Sequence, residues 1–260
     1  MYINETNEVL EPGNRLLYFT TADTEHDISN ATNLLIAFHG MVNREKRSFP
    51  INNGRMYKKY LESSWLCIGV CDPLLFDDPA LSGSFFLGKP GAKYVDALIE
   101  RMEDLFTTSP KLRNVFVIGG SASAIIALAV SSRLKAINIS FGPIFYLENY
   151  YKHLVKNVVD GHWDGDREFF IRTSDEIVAK SLDFKRMIMI CNATDYNHNV
   201  LQSFKFYQSL LEIAGPNRAA SFLESEAANR VHFQVLDLGV HGHFVPPIEK
   251  ISHFLNALRS

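Results

Sequence analysis

The most constraining feature of this 260-residue chain is the stretch Val115-Phe116-Val117-Ile118-Gly119-Gly120-Ser121-Ala122-Ser123-Ala124-Ile125-Ile126-Ala127-Leu128-Ala129-Val130. It reads as a buried strand, a sharp turn and an apolar helix. Four β-branched or aromatic residues run directly into two glycines, and a serine stands where the chain must reverse before a helix of small residues begins. Such a turn needs small side chains two positions before and two after its serine. Gly119 and Ser123 supply them around Ser121, with serine where the second glycine is usual. The geometry presents a serine as a nucleophile. A plain glycine turn opening a buried helix has the same local pattern, so the remaining chain has to separate the two.

Other apolar runs repeat the strand pattern. They are Asn33–Phe38 before His39-Gly40, Ser64–Cys71 before Asp72-Pro73, Leu134–Phe141 before Gly142-Pro143, Arg186–Asn192, and Val231–Leu236. Helices are predicted around 54–62, over 92–107 from apolar positions spaced by three and four, over 200–214 ended by Gly215-Pro216, and from Pro246-Pro247 to Leu258. Strands alternating with helices predict an α/β fold with a mostly parallel central sheet and helices on both faces, a single domain over 1–260. Ahead of it, Arg15–Thr21 reads as an edge strand after Pro12-Gly13. The stretch 144–185, rich in aromatic and charged residues and lacking the alternation, reads as an inserted cap of short helices over the site. The long loop 72–91 leaves the carboxyl end of a strand, where α/β sheets bind ligands, and makes Phe85 and Phe86 candidates for lining a pocket. Tucking both rings into the core fits the loop equally well.

A formal charge of -3 without any Lys/Arg-rich run argues against a nucleic-acid partner or an anionic-membrane patch. No window has the length of a membrane span, and the start lacks a basic segment followed by an apolar run, so a cytoplasmic location is expected. Cys67, Cys71 and Cys191 fit no zinc spacing and read as buried thiols.

In a parallel sheet each strand delivers its following loop to the same edge. Polar loops beginning at His39, Ser121, Asp195 and His241/His243 therefore converge. A serine hydroxyl is a poor nucleophile until an imidazole takes its proton, and the imidazole needs a carboxylate to fix its tautomer. Serine, aspartate and histidine occur in that order along the chain. With its Gly-x-Ser-x-small turn, an Asp after the next-to-last core strand and a His after the last, the chain resembles the α/β-hydrolase family. The resemblance implies Ser121 as nucleophile and Asp195 as triad acid. Both His241 and His243 sit in the right loop, and Gly242-His243-Phe244 matches the family's Gly-His-apolar form more closely. It also implies an oxyanion hole from the backbone N–H groups of Ala122 and, after His39-Gly40, Met41. His39, Phe85, Phe86 and His241 are then the substrate-binding candidates.

Each site residue has a plainer reading. Asp195 suits a helix cap or a turn, His39 suits bonding to loop backbone, and His198 suits a surface or helix-entry position. Asp195-x-x-His198 beside His241-x-His243 admits a metal, since two histidines and a carboxylate hold zinc. That reading leaves the Gly-Gly-Ser turn and the His-Gly loop without a purpose, so no metal is expected.

The expected activity is hydrolysis of a small-molecule or glycan carboxylic ester through an acyl-serine, without a cofactor. Four segments, Phe116–Ala124, Phe38-His39-Gly40, Asn192-x-x-Asp195-x-x-His198 and Gly242-His243-x-x-Pro246-Pro247, resemble hydrolase-fold proteins associated with bacterial surface-polysaccharide synthesis. That resemblance implies an O-acyltransferase alternative, moving an acetyl group from acetyl-CoA to a glycan hydroxyl in polysaccharide modification. Ser123 and Ala124 in place of glycines leave a third alternative, a non-catalytic binding protein on the same fold.

Overall fold

The computed structural model describes residues 1–11, 14–46, 49–91, 93–214, 230–237, 239–243 and 245–258. Pro12-Gly13 and Gly215-Pro216, which punctuate the predicted elements, Phe244 of the Gly-His-apolar form, and Ala92, the expected helix start, lie outside the described residues.

The described residues form eight strands: β1 (Tyr2–Glu11), β2 (Asn14–Ala22), β3 (Asn33–Phe38), β4 (Trp65–Val70), β5 (Asn114–Ser121), β6 (Ile137–Pro143), β7 (Arg186–Asn192) and β8 (Val231–Leu236). They lie in one sheet in the order β1-β2-β4-β3-β5-β6-β7-β8. From β4 to β8 every pair is parallel, whereas β2 runs antiparallel to both β1 and β4. This corrects the reading of Arg15–Thr21 as an edge strand: β1 is the edge, and β2 pairs on both sides. The Tyr2–Glu11 run is mostly polar, so it lacks the apolar alternation that marks a strand in sequence.

Central strands are apolar at consecutive positions because both faces are covered. Leu34, Ile36 and Phe38 of β3 face α4 (Tyr94–Thr108) and α5 (Ala124–Arg133), while Leu35 and Ala37 face the opposite layer. That layer contains α2 (Asn53–Lys58) and the closing α9 (Ile248–Leu258), which bring Tyr57, Ile251 and Leu255 against the sheet. Trp65 fills its centre, fully buried, 5.1 Å from the Phe116 ring. Its Nε1 has no hydrogen-bond partner among the described residues. Trp65→Ala should lower the unfolding free energy by about 3–5 kcal/mol. Trp65→Phe should cost far less, because it also removes a buried unpaired donor. Urea midpoints of the two variants test this.

The remaining short helices are α1 (Glu25–Asn30), closed by a capping box between Thr24 and Asp27, and α3 (Leu74–Asp77). Between β6 and β7, the 144–185 segment forms a 3₁₀ turn (Leu147–Asn149), α6 (Lys152–His162) and α7 (Arg167–Lys180). Phe170 and Val178 of α7 pack into the same buried cluster as Ile125 and Leu128 of α5. After β7 a π-helical stretch, Asn197–Phe204, leads into α8 (Lys205–Ala214). No helix among the described residues is long and apolar enough to cross a membrane. All three cysteines are free and buried, and burial pushes their thiols up to about 12 for Cys67 and Cys71 and about 11 for Cys191, so none is an activated thiolate.

Candidate active site

The turn after β5 is built from backbone demands. A Cβ on Gly119 would lie 2.5 Å from Ala127 Cβ and 2.7 Å from Ser123 O, so only glycine lets α5 close down on the strand. Ser121 sits at φ 52°, in the left-handed region that costs an L-residue about 1–2 kcal/mol. Here the register of β5 against β6 shifts, between Gly120 and Ser121. Ser123 has φ -95° and needs no glycine; its hydroxyl donates to Gly120 O and accepts from Gly120 N–H, both at 3.0 Å. The serine that departs from the usual pattern thus braces the turn.

The loops after β7 and β8 are laced together. Asn192, at the end of β7, donates from Nδ2 to Val240 O (2.8 Å) and Gly242 O (2.6 Å). Thr194 Oγ1 donates to Val240 O (3.1 Å) and accepts from Gly242 N–H (2.9 Å). This holds His243 over Asp195, with Nδ1 3.1 Å from Oδ2. The imidazole rests on Gly142, where a Cβ would come within 2.4 Å of His243 Cε1, and the next residue, Pro143, is paired with Ser121 across the sheet. Asp195 is buried and His243 has a side chain 35% exposed.

Asp195 also caps the following helix, accepting His198 N–H on Oδ1 at 3.3 Å, so the plainer reading of this aspartate holds beside the contact with His243. His198 stands at the helix entry, one of the two placements expected from the sequence, but is buried rather than on the surface. It is 2% exposed, its ring stacks on His243 with centroids 4.1 Å apart, and its Nδ1 lies 2.7 Å from Asp195 Oδ2 at an angle outside hydrogen-bond geometry. Burial raises the Asp195 carboxyl, but the adjoining His198 imidazole and, less strongly, His243 hold it below the usual carboxylate range. Burial first, then the neighbouring His243, lowers the His198 pKa against the pull of Asp195. Asp195 is therefore ionised, and His198 neutral, at pH 7.

Ser121 and His243 line one groove of ≈ 1050 Å³, together with Gly40, Met41, Tyr150 and Leu154. A Cβ on Gly40 would lie 3.7 Å from Ser121 Cβ, so the turn after β3 abuts the serine. Among the described residues, neither the Met41 nor the Ala122 N–H has a hydrogen-bond acceptor.

Other candidates lie elsewhere. His39 is buried off the groove; its Nδ1 is 2.8 Å from Gly40 O, and its Nε2 accepts Asp72 N–H at 3.1 Å, tying the ends of β3 and β4 together. Phe85 and Phe86 are core residues at 0% and 1% exposure, packed against Phe170 and Phe38 respectively, and do not line the groove. Loop 72–91 keeps them inside because Asp72 accepts both the N–H and the hydroxyl of Ser84. His241 is exposed and also off the groove. Conversely, Tyr150 lies against the Ser121 hydroxyl, and burial raises its phenol pKa. The groove residues come from the connections after β3, β5, β6 and β8, and no sequence spacing announces their meeting.

No protein-family model matches the chain, and no curated protein is similar to it in sequence. Solved structures do match. An acylaminoacyl peptidase, in complex with Z-Gly-Gly-Phe-chloromethyl ketone, superposes with TM-score 0.61 at 12% identity over 99% of this chain. An acetyl xylan esterase from Paenibacillus sp. R4 gives 0.57 at 13% identity, covering 98% of this chain and 88% of its own. An esterase from Pyrococcus furiosus gives 0.54 at 14% identity, covering 99% and 87%. This is the α/β-hydrolase fold. The chain spans 41% of the acylaminoacyl peptidase but nearly the full length of the two esterases. In α/β-hydrolase terms, Ser121 stands at the strand-to-helix elbow, Asp195 follows β7 and His243 follows β8.

Proposed function

We propose that this α/β-hydrolase-fold chain is a serine hydrolase of carboxylic esters, working through an acyl-Ser121. The observation that carries the reading is the His243 Nδ1–Asp195 Oδ2 contact at 3.1 Å, with His243 and the left-handed Ser121 lining the same groove. With Nδ1–H donating to Asp195, the lone pair of His243 is on Nε2, where it accepts the Ser121 proton as Oγ bonds the ester carbonyl carbon. The negative oxygen then meets the Met41 and Ala122 N–H groups, which have no other acceptor among the described residues to give up. Collapse breaks the C–O bond, and the leaving alcohol takes the proton back from Nε2. Water repeats the sequence to release the acid, so no cofactor enters.

In this reading Tyr150 and Leu154 make the 144–185 segment a wall of the site, the part of a cap nearest the serine. The esterases among the structural matches, close to this chain in length, favour ester over peptide substrates.

A fluorophosphonate probe tests the nucleophile. Wild type should be labelled on Ser121, and Ser121→Ala should be unlabelled and at least about 10³-fold slower on p-nitrophenyl acetate. A natively folded wild type that resists the probe would overturn the proposal.

A further inference from the structure

We infer that His198 is a positioning residue: its buried imidazole, stacked on His243, fixes the plane of that ring so that Nδ1 meets Asp195 and Nε2 is left for Ser121. The placement stands on geometry; its effect on rate rests on the proposed serine-hydrolase reading.

His243 needs such a support. Its side chain is 35% exposed and stands in the connection between β8 and α9, and the torsion that turns an imidazole about its Cβ–Cγ bond is intrinsically soft. Asp195 Oδ2 addresses Nδ1 at 3.1 Å, and Gly142 abuts the side of the ring that carries Cε1 and Nδ1. Both contacts lie at one edge, about which the ring is free to tilt. The His198 ring supplies the missing face, with centroids 4.1 Å apart and planes 21° from parallel. Tilting His243 toward that face meets the ring, and tilting it away gives up the stack.

His198 is itself firmly held. It is 2% exposed, the Tyr150 ring packs against it with centroids 6.3 Å apart and planes at 70°, and its backbone N–H bonds Asp195 Oδ1 at 3.3 Å. Residues three apart on a helical turn are neighbours, so one short segment presents a carboxylate to the edge of His243 and an aromatic ring to its face. Neither ring nitrogen of His198 has a hydrogen-bond partner among the described residues, so what the ring brings to His243 is its face. Being neutral, it does not repel the imidazolium that His243 becomes on taking the Ser121 proton. His198 does not line the groove, and acts on the base without touching substrate.

The test compares His198→Phe, which keeps a flat ring, with His198→Leu, which fills the space without one. Circular dichroism checks folding, and His198→Tyr or His198→Ala stands in for whichever variant fails to fold. Ring-nitrogen chemical shifts of isotope-labelled histidines, at alkaline pH where imidazoles are neutral, read the His243 tautomer without reference to activity. The His243 signals are those absent from His243→Gln. Wild type and the Phe variant should carry the proton on Nδ1, and the Leu variant should show a mixture of tautomers. A mixture in wild type or the Phe variant, or a proton kept on Nδ1 in the Leu variant, would overturn the placement. Turnover of p-nitrophenyl acetate is the second readout. In the Leu variant kcat should fall about 30- to 100-fold with KM within about 3-fold, whereas the Phe variant should stay within about 5-fold of wild type. Equal losses in the two variants, or a loss confined to KM, would overturn the positioning role. Absent fluorophosphonate labelling of wild type would instead overturn the serine-hydrolase reading, while the tautomer result would stand.

Discussion

Replacing Asp195 by Asn is expected to slow acylation of Ser121 by about 10⁴-fold while leaving the chain folded. Asn keeps one acceptor, and the backbone N–H of His198, 3.3 Å from Oδ1, claims it. The amide NH₂ then faces His243 Nδ1, which must become the acceptor. Its proton moves to Nε2, and the base that should receive the Ser121 proton carries one of its own. The check is a pair of measurements, the second-order rate of fluorophosphonate labelling and the thermal midpoint. A loss of rate with a shift of only a few degrees is the expected result. Activity within about 10-fold of wild type would show that Asp195 acts only as a helix cap.

Gly142→Ala is the second large effect, expected to lower ester turnover about 10²–10³-fold at a stability cost of about 1–2 kcal/mol. Gly142 has φ +46°, and its missing Cβ leaves room for the His243 ring, 2.4 Å away at Cε1 and 2.7 Å at Nδ1. A methyl there meets the end of a partly exposed side chain, which swings away at little cost to the core. The imidazole then leaves both Asp195 and the groove. Steady-state turnover against urea stability separates this from a general folding defect, since the variant should lose far more rate than stability.

Much of the fold was legible because a parallel sheet buried on both faces demands continuous apolar runs. β3, β4, β5 and β7 announced themselves in that way. β1 stayed hidden, because its polar sequence is held by main-chain pairing with β2, to which side chains contribute no pattern. α1 carried a readable signal in Thr24-x-x-Asp27, yet six residues without a buried side chain leave no helical stripe. Ser121, Asp195 and His243 could be named because sheet topology dictates which loops meet, and the order of residues along the chain gives the topology. The preference for His243 over His241 rested on a three-residue form; in the structure His243 Nδ1 lies 3.1 Å from Asp195 Oδ2, and His241 is exposed.

Phe85, Phe86 and His39 show the opposite case. Their types and loops suited a binding site, but the Asp72–Ser84 bonds turn both rings inward and the Asp72 N–H occupies the imidazole. His198 likewise read as a surface or helix-entry residue; it is at the helix entry, but its stacking on His243 brings together residues 45 positions apart in the chain. By itself the sequence determined the parallel part of the sheet, the strand-to-helix turn at Ser121 and the loops that converge there, since local periodicity and the handed connections of a parallel sheet depend only on neighbours along the chain. Tertiary structure alone decided which way each loop side chain turns, that Gly142 must yield its space to an imidazole, and that two histidines share one carboxylate. Those outcomes depend on distances between separate loops, which no local pattern encodes.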